Sequence, residues 1–547
     1  HQDPVDRRDS GTLWGPLVLW ASQTGNAEDI AIRLTKELDA EGIVATLRSM
    51  ASCAVADLSD ADIVLVTSTF GDGGPPDSGA QFWDQLRAVD VPMLHGTRFA
   101  VLGIGDRSFS QFCAHAKSLD QRLDSLGASR LLDRVECEVG DVDELWAWTE
   151  QVVGLFGDGT AATSGKPNAF AVAEVAPTPF SRANPVVASL RTNRRLTPMS
   201  AAKEVRQFGF DISDHDVTYD VGDALGVHAA NSSVGVENWL AATATRGEEV
   251  VEVDGVECTW REALTHNYDI GRVTPDLVRF LGEASHDKAT TKRLRAALSD
   301  VGEWQRGRNG IDVARQFPVD ADVQRWQEVL IRLTPRFYSI SSSPLTSPDE
   351  VRLLVSIVRY RGGDGTDRGG VCSTFMADRA EQASIFLQRS PHFHPPEDSS
   401  APMVMVGAGT GIAPFHGFLQ HRRALGHSGR NWLFFGDRHA SENFYYREDL
   451  TGMVRDGHLT KLDVAFSRDQ SERIYVQHKM IKAGAELWSW LESGAHLYVC
   501  GDAEYMAKDV DNALTTIIRT QGRMSKDAAR DYKFDLIASK RYVRDVY

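Results

Sequence analysis

The 547-residue sequence predicts a multidomain α/β protein in which two parallel sheets are separated by an antiparallel β-barrel. Three observations lead there. Apolar runs alternate with helical patterns over the first 157 residues, the alternation disappears in the middle of the chain, and it returns after Pro402. Strand–helix–strand alternation builds a parallel sheet covered by helices on both faces, whereas short β-rich runs without intervening helices pair antiparallel.

In the first segment, strands are expected at 17–20, 63–67 and 99–104, and helices at 27–40, 79–87, 112–126 and 142–155. Residues 157–183 are rich in Gly, Ala, Thr and Pro and show no sustained period, which predicts a mobile linker. Beyond it, β-rich runs such as 203–212 and 351–360 flank a mainly helical stretch at about 232–333, with amphipathic turns near 260–265 and 275–281. That pattern predicts a barrel with a helical insertion. Strands are then expected at 403–406, 432–435, 461–466 and 496–500. The expected divisions are 1–156, the linker 157–183, 184–400 and 401–547.

Composition narrows the function classes. Apolar residues make up 42% and charged residues 25%, the balance of a globular enzyme. No window holds 18 uninterrupted apolar residues, so no membrane anchor is expected. The polar opening HQDPVDRRDS lacks the apolar centre of a signal peptide, and a cytoplasmic location is expected. The chain opens on His1 instead of Met, as a trimmed chain or a piece of a longer one would. The six cysteines form no CxxC and no zinc or iron–sulfur spacing, so reduced thiols and no metal are expected. Any metal centre must then sit on a partner. Net charge is −17. Residues 1–157 hold 25 acidic against 12 basic side chains, or −13, and the rest hold 51 against 47, or −4. Nucleic acid is therefore not an expected partner, and the acidic first segment suits a basic protein surface.

Three loops of the first segment carry chemistry. In LVLWASQTGNAED, a buried strand runs into Ser22, Gln23, Thr24, Gly25, Asn26 and Ala27 before a helix starts. Hydroxyls, backbone N–H groups and a helix N-terminus converging on one point suit a phosphate monoester. No lysine of a nucleotide-hydrolysing loop is present. The loops STFGDGGPPDSG, with Ser68, Thr69, Phe70, Gly71 and Gly73, and LGIGDRSFSQFC, with Leu102, Gly103, Gly105, Asp106, Phe109 and Phe112, each put an aromatic at a strand end. Two aromatics facing across a crevice can sandwich a flat ring. In this order and spacing the three loops resemble the flavodoxin-like FMN domain over about residues 15–156. The resemblance implies FMN phosphate on 22–27 and the isoalloxazine ring between Phe70 and Phe109. Asp72 stands where many relatives have Glu.

PRFYSISSSP presents Arg336, Phe337, Tyr338 and Ser339, a cation for a pyrophosphate, a stacking ring and a hydroxyl for a flavin edge. GGVCSTF presents Gly370, Val371, Cys372 and Ser373 at a glycine-led helix start. With KEVRQFGFDI and YDVGDALGVHAANS, these resemble the FAD domain of the ferredoxin–NADP reductase type, and the helical insertion matches the connecting domain of diflavin reductases. VMVGAGTGIAPFHGFLQ runs a strand into Gly409 and Thr410, suited to a dinucleotide pyrophosphate. His416 stands where sulfite reductase flavoproteins often carry Arg, or is a surface residue. Ser467, Arg468, Arg473, Tyr475 and Gln477 would gather at the end of strand 461–466, a cationic, hydroxyl-rich site for the 2′-phosphate of NADPH. Cys500 and Asp502 close another strand, and the chain ends SKRYVRDVY.

The six motifs, in fixed order, resemble the diflavin reductase family over nearly the whole chain. That resemblance implies FMN, FAD and NADPH, a hydride-transfer site of Ser339, Cys500 and Asp545, and Tyr547 stacked over the FAD ring. It implies electron flow from NADPH to FAD to FMN to an external acceptor, with the acidic first domain swinging on its linker. The Tyr547 terminus and GTGIAPFxGF are similar to the sulfite reductase flavoprotein branch, whose acceptor is a sirohaem, iron–sulfur subunit. Alternatives are a reductase for a monooxygenase or other haem protein, the reductase part of a fused nitrate or sulfite enzyme, and a non-catalytic flavin-binding module.

Overall fold

A computed structural model of the chain describes residues 13–23, 25–70, 73–105, 111–138, 142–156, 180–182, 184–362, 365–503 and 505–547. Its first sheet is entirely parallel. The order is Ile43–Ser49, Leu13–Ala21, Asp62–Ser68, Arg98–Gly105 and Ser129–Arg130, with Val135–Glu138 also paired to Arg98–Gly105. Alternation along the strands sorts the two faces. Leu19, Ile63, Leu65 and Val101 pack against Phe82 and Leu119, from helices Asp77–Leu86 and Ala114–Ser125. Val18, Val64, Val66 and Leu102 pack against Leu34 and Trp148, from helices Asn26–Ala40 and Val142–Phe156. The strand Ile43–Ser49 escapes the sequence reading because it lies at the edge and buries alternate residues only.

The middle of the chain forms an antiparallel sheet ordered Arg336–Ser339, Ala224–Val227, Gln382–Gln388, Val186–Arg195, Glu204–Asp211 and Glu350–Ile357. A bridge between Ile340 and Leu353 joins the two outer strands, so the sheet closes on itself. Of the predicted linker, residues 157–179 and 183 lie outside the described residues, and Phe180 is buried in the barrel core. Between Val227 and Arg336 sit seven helices and one hairpin, Val250–Val253 with Val256–Thr259. This insertion has its own core, where Trp326 meets Trp239 and Phe280 edge-on at 5.4 and 5.1 Å. Its helix starts are legible in the sequence, with Ser232, Thr259, Thr274, Asp287 and Asn309 each accepting a first-turn N–H.

The third sheet is again parallel, ordered Lys461–Phe466, Asn431–Asp437, Met403–Ala408, His496–Gly501 and Tyr542–Val546. The last strand is not among those expected from sequence. The barrel and this sheet share a core, with Val205, Val221 and Phe393 from one side and Phe415, Phe418 and Tyr498 from the other. At the joint, Gly222 has φ +101° and a Cβ there would overlap the carbonyl oxygen of Phe393. Gly222→Ala is therefore expected to destabilise the barrel and third sheet together by about 2–3 kcal/mol. Calorimetry should show their transition moving down while that of the first sheet stays, and an unmoved thermogram would contradict the close approach.

Candidate functional site

Parallel sheets bring the C-terminal ends of their strands to one edge, and the predicted loops of the first and third sheets leave from such edges. After Leu13–Ala21, Ser22 Oγ accepts the N–H groups of Gly25 at 2.9 Å and Ala27 at 3.2 Å. Gly25 takes φ +107°, which turns the chain into the helix that starts at Asn26. Ser78 Oγ donates to the Ser22 carbonyl and accepts its N–H. Ser68 Oγ accepts from Gln23 N, and Thr69 Oγ1 accepts from His115 N. The Phe70 loop folds back on itself through paired bonds with Gly74, aided by φ +93° at Gly73. This neutral donor set of hydroxyls, amides and a helix start fits a phosphate monoester.

Leu102 is fully buried in the core, so only its backbone reaches the site. A Cβ on Gly103 would meet Ala116 at 2.6 Å, and one on Gly105 would meet Cys113 and Phe112 at 3.0 Å. These glycines admit the helix that follows. Thr24, Gly71, Asp72, Asp106 and Phe109 lie outside the described residues. The Phe70 ring faces the Arg544 guanidinium, 4.6 Å from its centroid.

In the barrel, Arg336 donates to Thr334 at 2.7 and 2.6 Å and sits 3.8 Å from Asp269. Phe337 packs edge-on against Phe386, and burial pushes the Tyr338 hydroxyl well up. Gly370 starts the helix Val371–Asp378 with no side-chain cap, while Ser373 Oγ accepts from Val358 N. Cys372 is buried, its thiol pushed up to about 11 by burial. An uncapped helix start beside a guanidinium fits a pyrophosphate.

The residues expected at the hydride site come together from three strands. Ser339 Oγ donates to Asp545 Oδ2 at 3.0 Å, and Asp545 pairs in register with Cys500. Burial, and then the Asp545 carboxylate, hold the Cys500 thiol far above its usual range. Tyr547 is 49% exposed, its hydroxyl 3.0 Å from Thr410 Oγ1 and its N–H bonded to the Gly501 carbonyl. A Cβ on Gly411 would overlap the Cys500 carbonyl, so glycine is what lets the two loops meet.

Ser467 is buried, while Arg468, Arg473 and Tyr475 are exposed. Neither arginine has a carboxylate partner among the described residues, which fits a phosphate site. Gln477 donates to Asp509 at 3.0 Å. Asp502 accepts the N–H groups of Tyr505 and Met506, so its carboxylate caps a helix. His416 is not a surface residue. It is buried, bonds the Ser341 carbonyl at 2.8 Å and Asp449 at 3.1 Å, and stacks on Tyr446 at 3.8 Å. Sequence reasoning missed Lys203, whose Nζ comes within 3.1 Å of where a Gly409 Cβ would stand and pairs with Asp437 at 3.2 Å. It also missed Arg544. Both act across domains, and no local signal marks them.

Burial pushes Asp545 up to about 6, although its Ser339 hydrogen bond favours the carboxylate. The folded value lies above the unfolded one of roughly 4. The native state therefore holds an extra proton between them, and stability falls as pH rises through that window. Asp545→Asn should melt at a higher temperature than the parent above pH about 6, with the gain vanishing near pH ~4. Equal gains at both pH values would rule out this origin.

A flavodoxin family model matches residues 18–151, an FAD binding domain model matches 178–375 and an oxidoreductase NAD-binding domain model matches 405–512. A protein of Vibrio cholerae is 38% identical over 537 residues, covering 97% of this chain and 87% of its own length. One of Mannheimia succiniciproducens is 39% identical, covering 97% and 89%, and one of Bacillus subtilis is 38% identical, covering 97% and 89%. All three are named sulfite reductase [NADPH] flavoprotein alpha-component. With that identity along nearly its whole length, the chain belongs to the sulfite reductase [NADPH] flavoprotein alpha-component family.

Proposed function

We propose that this chain draws electrons from NADPH and delivers them, through FAD and then FMN, to a sirohaem, iron–sulfur subunit that reduces sulfite. The observation that supports this best is the cluster of Ser339, Asp545 and Cys500 beneath a half-exposed Tyr547. FMN, FAD and NADPH are the cofactors of the family's three domains. The two flavins, when bound, supply the change from hydride uptake to single-electron delivery.

The chain's residues bind and orient. Loop 22–27 with Ser68, Thr69 and Phe70 holds FMN, within a first domain of residues 1–156. Arg336, Tyr338 and the helix start at Gly370, Val371, Cys372 and Ser373 hold FAD within 184–400. Gly409, Thr410 and Lys203 face the NADPH pyrophosphate, and Ser467, Arg468, Arg473, Tyr475 and Gln477 face its 2′-phosphate, within 401–547. Tyr547 would stack on the FAD ring when it is bound and would have to move before nicotinamide could enter. Ser339 and Asp545 hold a proton between them beside Cys500. The acidic first domain docks on a basic face of the acceptor. No helix among the described residues is long and apolar enough to cross a membrane, and the cytoplasm is the proposed location.

Purified protein should release FMN and FAD together, bleach with NADPH without oxygen, and reduce a sirohaem partner protein. A flavin-free protein, or one inert to NADPH, sinks the reading. Arg473→Ala should lower the preference for NADPH over NADH by about tenfold to a hundredfold, by removing a charge-assisted phosphate contact. An unchanged preference would move the 2′-phosphate elsewhere.

A further inference from the structure

The C-terminal strand faces two ways. Side chains alternate along Tyr542–Val546, so Asp545 turns to Ser339 while Arg544 turns to the first domain. Arg544 is 9% exposed. Its guanidinium holds both carboxylate oxygens of Asp77, with Nε to Oδ2 at 2.7 Å and Nη2 to Oδ1. Gln23 locks this pair. It accepts the Asp77 N–H at 3.0 Å and donates to Asp77 Oδ2 at 2.8 Å and to the Arg544 carbonyl at 3.4 Å. A second contact lies nearby, where Glu28 pairs with His392 and with Lys540 at 3.6 Å.

We propose that Arg544 is a positioning residue that clamps the first domain onto the strand that builds the hydride site, and so sets the arrangement in which electrons pass from FAD to FMN. This rests on the electron path given above. A two-pronged guanidinium–carboxylate pair fixes orientation as well as proximity, which a lysine would not. The pair is nearly dry, so leaving either charge alone is costly. The clamp also holds Phe70, the aromatic assigned to FMN, against the strand that ends in Tyr547. The step it governs moves one electron at a time from reduced FAD to oxidised FMN, the pair having entered as hydride from NADPH, which leaves as NADP+. An acceptor that needs the Phe70 face must wait for the clamp to open.

The test compares the flavin-loaded full chain with Arg544→Gln, Asp77→Asn and the charge exchange Arg544→Asp with Asp77→Arg. Small-angle X-ray scattering reads domain separation without turnover, and anaerobic stopped-flow separates FAD bleaching from FMN bleaching after NADPH is added. Both single variants should enlarge the radius of gyration and slow the FMN phase by about tenfold or more, with the FAD phase within about twofold of the parent. The exchanged pair should recover compactness relative to either single variant. Asp77→Asn stands outside the C-terminal strand, so it decides the matter should Arg544→Gln fail to fold. A parent-like radius, or an expanded particle with a parent-like FMN phase, overturns the inference. A parent that never bleaches with NADPH overturns the electron path instead, while scattering still judges the clamp.

Discussion

The arrangement depends on the parallel register between His496–Gly501 and Tyr542–Val546, which sets Cys500 beside Asp545. A strand at the edge of a sheet is held by one neighbour only, yet this one supplies the carboxylate, the terminal aromatic and the arginine that reaches the first domain. A slip of one residue would exchange the roles of Arg544 and Asp545, because side-chain facing alternates. The buried Tyr542 and Val543 resist such a slip by filling opposite faces of the third sheet.

Burial then shapes the electrostatics. Desolvation pushes the Asp545 carboxyl up toward its neutral form, against the hydrogen bond it accepts from Ser339. Arg544, on the opposite face of the same strand, is also desolvated and its value falls to about 10, which leaves it charged at neutral pH. One strand thus keeps one group close to its point of proton exchange and its neighbour fixed in charge.

Much of this was legible in the sequence because it is local. Ser22 to Ala27, Gly409 to Gly411 and the Arg336–Ser339 strand are each a short run whose residue types dictate a turn or a helix start. The unbroken apolar runs within 63–67 and 403–406 marked buried parallel strands, and the capping residues of the insertion marked its helices. What escaped was non-local. Lys203 is remote in sequence from the loop that it approaches, and Asp77 is 467 residues from Arg544. His416 looked like a surface substitution, but its partners Ser341, Tyr446 and Asp449 converge only in the fold. The edge strands Ile43–Ser49 and Tyr542–Val546 lack a full apolar run, so periodicity understates them.

Among the described residues, no buried apolar cluster crosses from the first sheet to the rest, whereas the barrel and the third sheet share one. The first domain is thus attached chiefly by matched polar groups, Asp77, Gln23, Glu28 and Glu138 meeting Arg544, His392, Lys540 and Arg182. Such a joint is modular in the engineer's sense. A flavodoxin-type domain of different origin could be grafted in its place without repacking any core, provided that those few surface positions were transplanted with it.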